Sequence, residues 1–142
     1  MKLSEIQEMI ISDSRIDMSD IAEESIKVIE LHAKYLGFYQ DERRVLLLIE
    51  EDYRKLKLRK MEYYLGRAED RVYEENPLHL KIPRQDLEFY LDADDELCDL
   101  KRKVTITQNK VDMLKGFIEQ NLNQRSHHFR NALQFLQWSS GK

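Results

Sequence analysis

Residues 97–118 read LCDLKRKVTITQNKVDMLKGFI. Leu97, Leu100, Val104, Thr107, Val111, Leu114 and Ile118 recur at alternating three- and four-residue steps, the spacing that holds one stripe of a helix against a partner helix. Beyond Ile118 that register would reach Asn121, Arg125 and His128, whereas the apolar residues continue at Leu122, Phe129, Leu133 and Leu136. The extra four-residue step is a stutter, which relaxes a supercoil locally. An unbroken helix over this segment would run about 60 Å at 1.5 Å per residue. A chain of 142 residues cannot flank it along that length. The helix therefore either breaks near Asn121–Asn123 or pairs with further copies of itself, and we prefer association. On that reading Leu97, Leu100, Val104, Val111, Leu114, Ile118, Leu122, Phe129, Leu133 and Leu136 are the oligomerisation residues, with Trp138 as an anchor at the end.

Upstream, residues 68–90 hold both prolines and no sustained period, and read as an acidic connection with a short extended piece around LHLKI. Before it, a helix is expected from about Asp41 to Leu65, with Gly66 as its stop. Its wheel carries two apolar stripes, one of Val45, Ile49, Tyr53, Leu56 and Tyr63, the other of Leu47, Leu58 and Leu65. Two apolar faces imply burial from two directions, either inside the chain's own bundle or by association. An earlier helix is expected to start at an Ser19 cap, to bury Ile21, Ala22, Ile26, Ile29, Ala33 and Leu36, and to end at Gly37. A short amphipathic helix opens the chain through Leu3, Ile6, Met9 and Ile10. The organisation expected is thus a 1–67 helical region, a 68–90 acidic connecting loop and a 91–142 oligomerisation helix or helices. The fold class is all-α, which the four glycines, two prolines and 35% charged residues also favour.

Charge is segregated although the net value is only −4. Residues 54–67 carry six basic side chains and one acidic; 68–100 carry three basic and eleven acidic; 101–142 carry eight basic and two acidic. No apolar run of about 18 residues offers a membrane span, and Glu5 and Glu8 interrupt the place of a signal peptide's apolar run. Cys98 is the sole cysteine, so neither an internal disulfide nor a cysteine metal site is expected. His32, His79, His127 and His128 lack the spacing of a zinc pair. Asp92, Asp94, Asp95 and Glu96 lack the glycine turn and distal glutamate of a calcium loop, and read as an acidic helix start. No phosphate-binding glycine loop is present. The expectation is an intracellular protein with no cofactor, no metal and no catalytic activity.

The basic block reads KLKLRKMEYYLGR over 55–67. Single-stranded nucleic acid requires cations for the backbone and flat aromatic faces for unpaired bases, and this stretch offers both. Arg54, Lys55, Lys57, Arg59, Lys60, Tyr63, Tyr64 and Arg67 are the candidate DNA-binding residues. The cations surround the helix rather than lining one stripe, an arrangement suited to a surface assembled from several copies. A second basic block, around Lys101–Lys103 and Arg125–Arg130, is the fallback surface.

The run Arg59, Lys60, Met61, Glu62, Tyr63, Tyr64, Leu65, Gly66, Arg67 resembles the basic–aliphatic–acidic–Tyr-Tyr-x-Gly-Arg motif of the UvsY family, recombination mediators of T-even-type bacteriophages. The likeness extends from MKLSEIQ through Ile16-Asp17 and Tyr35-Leu36 to LDADDEL and the terminal Gly141-Lys142. It implies a ring-like homo-oligomer, a hexamer or heptamer, assembled through C-terminal helices. It further implies binding of single-stranded DNA in the host cytoplasm and loading of a RecA-like phage recombinase onto strands covered by the phage single-stranded-DNA-binding protein. The second basic position of the family motif maps onto Lys60 and the first onto Leu58, where Lys57 and Arg59 flank the departure. A purely architectural coiled-coil oligomer is the rival reading.

Overall fold

The structure, a computed structural model, describes residues 1–141, and every regular element among them is helical. Helix α1 spans Leu3–Ser14, and the Glu5 carboxylate accepts the Lys2 amide at 2.7 Å at its start. Asp17 then turns the chain by accepting the amide and hydroxyl of Ser19. Helix α2, Ile21–Tyr64, is capped by Asp20, whose Oδ1 accepts the Glu23 amide at 3.1 Å, rather than by Ser19.

The expected helix end at Gly37 is not observed: α2 runs 44 residues without a break. A glycine stops a helix by taking a left-handed conformation, and among the described glycines only Gly66 and Gly141 have positive φ. Gly66, at φ 76°, ends α2 through a Schellman turn, with Arg67 N–H donating to Glu62 C=O at 2.8 Å and Gly66 N–H to Tyr63 C=O at 3.2 Å. Gly37 is followed by Phe38 and Tyr39, whose packing into the core outweighs a helix-propensity loss of about 1 kcal/mol.

Helix α3 covers Asp70–Glu75, and a 3₁₀ turn at Arg84–Asp86 leads into α4, Leu87–Ala93. The 68–90 stretch is therefore partly helical, where an acidic connection with a short extended piece around LHLKI was expected. Helix α5 spans Asp95–Gln120, a 3₁₀ turn follows at Leu122–Gln124, and α6 spans Arg125–Ser139. The C-terminal segment thus breaks near Asn121–Asn123. Two asparagines in three residues disfavour helix, and the Asn121 side chain is engaged instead, accepting Arg125 Nε at 3.0 Å.

The chain divides into two compact units, one of Met1–Arg44 with Gln108–Lys142, the other Val45–Thr107. In the first, Ile6, Tyr35, Leu114, Phe117, Ile118 and Leu122 form the core, with the Tyr35 and Phe117 rings 4.5 Å apart. Burying each such large apolar side chain stabilises by about 1.5–3 kcal/mol. Asp13 organises the polar part of this core: its carboxylate accepts Tyr35 Oη and pairs with Lys34, both at 2.7 Å, and its carbonyl accepts a guanidinium N–H of the fully buried Arg125. Burial lowers the Arg125 pKa, opposed by the charges of Glu24 and Asp13.

The expected burial of Ile26, Ile29 and Leu36 is reversed. Ile26 is 67% and Ile29 73% exposed, Leu36 also faces solvent, and α2 buries Glu24 and Tyr35 instead. The inward row contains the bulkier Tyr35 and Phe38, and it alone can reach Asp13. Larger buried area and a satisfied hydroxyl decide which face turns in.

In the second unit Leu87, Leu91 and Leu97 form the core, against Tyr53, Leu56, Met61, Tyr64 and Leu65. Of the seam residues, Leu97, Val111, Leu114, Ile118, Leu122 and Phe129 are buried within the chain, Leu100 and Val104 are half-buried, and Leu133 and Leu136 are exposed.

Gly37 within α2 and Gly66 in the turn that closes it give opposite predictions. Gly37→Ala should raise stability by about 0.5–1 kcal/mol, since no atom lies within 4 Å of the added methyl. Gly66→Ala should lower it by about 1–2 kcal/mol, because φ 76° strains any L side chain. Thermal unfolding of the two variants beside the unaltered chain tests the difference in sign.

Candidate nucleic-acid interface

The six cations of 54–67 sit on the last three turns of α2 and the turn that closes it. Arg54, Lys55, Arg59 and Arg67 are exposed, whereas Lys57 and Lys60 are half-buried. Lys55 pairs with Glu51 at 2.8 Å. Among the described residues Arg54, Lys57, Arg59 and Arg67 lie within no ion pair, so their charge is free to meet an external anion.

Lys60 is held differently. Its ammonium lies 3.3 Å from Asp94 and 3.4 Å from Glu96. The same Asp94 Oδ2 accepts the Tyr64 hydroxyl at 2.7 Å, and Asp94 Oδ1 accepts the Leu97 amide at 3.1 Å. Asp94 is therefore the cap of α5 as well as the anchor of α2's last turn. Burial alone would raise its pKa, but the Tyr64 and Leu97 hydrogen bonds and the Lys60 charge bring it below the ordinary 3.8. Burial and the hydrogen bond to Asp94 push the Tyr64 hydroxyl upward, so it stays a donor at neutral pH.

The tyrosine pair is likewise built into the unit. Tyr63 stacks on Tyr73, centroids 5.4 Å apart and planes at 18°, and its hydroxyl donates to Asn76 C=O at 3.0 Å. Tyr73 in turn donates to Tyr63 C=O at 2.7 Å. The Tyr64 ring leans on Tyr90 at 5.8 Å. Both rings are half-buried and line an open groove of about 600 Å³ bounded also by Arg59, Lys60, Val72, Arg71 and Asn76. Arg71 was missed in sequence because its acidic neighbours Glu69, Asp70, Glu74 and Glu75 hide it; only its place just after the Gly66 turn marks it. Lys57 borders a smaller recess of about 150 Å³ with Lys101 and Asp92.

The fallback block is dispersed. Lys101, Arg102 and Lys103 are exposed, but Arg125 is fully buried and bonded to Asp13 and Asn121, so it cannot meet a phosphate. No described group of three or more His, Cys, Asp or Glu side chains is placed to hold a metal ion. No described helix is long and apolar enough to cross a membrane.

A free-cation cluster beside half-exposed tyrosines at the end of a long helix fits the motif noted in the sequence. The family model described as "Recombination, repair and ssDNA binding protein UvsY" matches residues 9–142. The chain belongs to the UvsY family. The architecture of this UvsY-family chain is that of the bacteriophage T4 recombination mediator protein UvsY in its crystal structures. Lattice type II superposes with a TM-score of 0.87 at 17% identity, covering 99% of this chain and 98% of that one. Lattice type I gives 0.84 at 16% identity over 95% and 98%. No curated protein sequence matches this UvsY-family chain. The description of the UvsY family names binding, recombination and repair, and no catalytic step.

Because Asp94 is depressed in the folded state, its contribution to stability is complete above about pH 4 and is lost as the pH falls through its lower folded value. Asp94→Asn should therefore flatten the acid limb of the unfolding midpoint while lowering neutral-pH stability by about 1–3 kcal/mol. Denaturant unfolding at pH 7 and pH 3 measures both effects. An unchanged acid limb would assign that proton uptake to other carboxylates.

Proposed function

We propose that this protein is a recombination mediator that binds single-stranded DNA through the end of α2, and that it promotes loading of a RecA-like phage recombinase onto strands covered by the phage single-stranded-DNA-binding protein. The observation that carries the reading is the group Arg54, Lys57, Arg59 and Arg67, free of carboxylate partners among the described residues, within and beside the run whose sequence resembles the family's basic motif. Arg71, across the groove, adds a fifth cation with only a loose contact to Glu69 at 3.7 Å. These side chains contact phosphates, and affinity is therefore set by counterion release rather than base identity. Tyr63 and Tyr64 shape the groove, and one face of Tyr63 is already taken by Tyr73. Lys60 positions the cluster through Asp94.

Single sites of this size are weak, and a homo-oligomer, a hexamer or heptamer on the family resemblance, would sum them into strong binding. Exposed Leu47 and Leu58 on the outer side of α2, and Leu133, Phe135, Leu136 and Trp138 on α6, support self-association. Binding free energy then displaces the covering protein with no nucleotide hydrolysis, within the host cytoplasm. The architectural rival is favoured by one observation: Lys60, Tyr63 and Tyr64 all have structural partners in their own chain.

Fluorescence-anisotropy titration of labelled oligo(dT) across a salt series tests the reading. Replacing Arg59 and Arg67 together by Ala should reduce the slope of log affinity against log salt by about 1.4, at 0.7 per phosphate contact on single strands. Mixed-sequence DNA should bind within a few-fold of oligo(dT). Absence of binding by the unaltered protein at low salt would leave the architectural reading in its place.

A further inference from the structure

We propose that the outward stripe of α2, formed by Ala22, Ile26, Ile29, Ala33 and Leu36, is the seat for helix α6 of a second copy of this chain. The inference rests on the self-association just proposed and names the contact that produces it.

The five residues follow steps of four, three, four and three, the spacing that accepts a helix rather than a loop or strand. Each is exposed, and the opposite row of the same helix, with Glu24 and Tyr35, is already committed to the unit's own core. One flank of the stripe carries Glu23, Lys27, Glu30 and Lys34, each one residue past a stripe position. Lys27 and Lys34 are paired within the chain, to Glu24 at 3.2 Å and Asp13 at 2.7 Å, which leaves Glu23 and Glu30 as the carboxylates without an ion-pair partner among the described residues. An occupant that complements this flank therefore presents apolar side chains with cations beside them.

Helix α6 has that composition. No Asp or Glu follows Glu119. Arg130 is exposed beside His127 and His128. Phe135, Leu136 and Trp138 are exposed; Trp138 is 77% exposed and touches only the Phe135 ring among aromatics, at 6.2 Å. Next to the stripe, an open groove of about 380 Å³ lined by Ser25, Val28, Phe129 and Leu133 offers a receptacle for one large side chain of the incoming helix. Pairing α6 with α6 instead would bring Arg130 towards Arg130 and leave Glu23 and Glu30 without a counter-charge.

Donor and acceptor are different surfaces of the same unit, so the contact is head-to-tail, the kind that propagates from copy to copy until it closes. One junction uses the α6 of one chain and the α2 of the next, and every chain can make two.

The test is the mass of the full-length protein by analytical ultracentrifugation across a micromolar concentration series. An acceptor variant carries Ile26→Glu with Ile29→Glu; a donor variant carries Leu136→Glu with Trp138→Glu. All four positions are exposed, and far-ultraviolet circular dichroism checks that helicity is kept. Each variant should shift the association midpoint upward by about thirtyfold or more. An equimolar mixture of the two variants retains one intact junction and should give a species of two chains, twice 17.1 kDa, that neither forms alone. An acceptor variant that assembles like the unaltered chain would overturn the α2 seat while leaving self-association standing. A mixture that stays monomeric would overturn the head-to-tail contact. A monomeric unaltered protein would overturn self-association and this contact with it.

Discussion

A single carboxylate, Asp94, fixes the geometry on which the candidate interface depends. It caps α5 through the Leu97 amide, accepts the Tyr64 hydroxyl and neutralises Lys60, all with a side chain that is 6% exposed. A carboxylate buried to this degree is unfavourable unless its lone pairs are filled. Here three donors fill them, and the same three contacts tie the end of α2 to the start of α5. Glu96, by contrast, is a rim charge at 69% exposure, and its contact with Lys60 adds little. The arginines beside this clasp are consequently carried on a fixed helix end, and on the proposed function less backbone freedom would be lost on contact with phosphate.

The other unit uses the same device with the sign reversed. Arg125 is a fully buried cation, and its bonds to Asn121 Oδ1 and the Asp13 carbonyl join the break between α5 and α6 to the end of α1. One of its nitrogens, Nη1, has no partner. Such an arrangement is poor as a source of stability compared with an apolar residue of equal volume. It is effective at deciding where the helix breaks, because a guanidinium satisfied only by Asn121 and Asp13 disfavours other registers.

Arg125 also shows why some features were legible in the sequence and others were not. The heptad spacing from Leu97 to Ile118 identified a buried stripe, and Leu97, Val111, Leu114 and Ile118 are indeed inside. Spacing states that a face is covered and does not say by which helix; the cover is the chain's own. Asn121 and Arg125 fall on the strict continuation of that register and were set aside as polar, yet they occupy it as a hydrogen-bonded pair. Gly66 was legible as a stop because polar and acidic residues follow it, whereas Gly37 is followed by aromatics that reach the core. The basic run was visible at once, but the division of labour within it was not. Lys60 and Tyr64 act through Asp94, thirty residues and more away, and no local pattern records that distance.

Helix α2 turned the more obviously apolar of its two stripes outward, and the reason bears on function. Burying Tyr35 and Phe38 serves the chain's own fold, but it leaves Ile26 and Ile29 in water and takes Glu24 out of it. Exposing those isoleucines is unfavourable for a monomer and tolerable for a subunit, so the choice of face is itself an argument about assembly. On the proposed function, assembly in turn answers the weakness of the basic cluster as a site for DNA. Four or five cations on one helix end bind a flexible polyanion loosely and release it readily as salt rises. Repeating the cluster around an assembly raises the effective concentration of each further site once the first is engaged. Individual contacts remain labile even then. A strand held by many weak contacts can be surrendered one contact at a time to a recombinase that polymerises along it, whereas a strand held by one tight site would have to dissociate in a single step. On the proposed function, the outward stripe and the exposed arginines therefore belong to one design, in which affinity resides in the number of subunits rather than in any one of them.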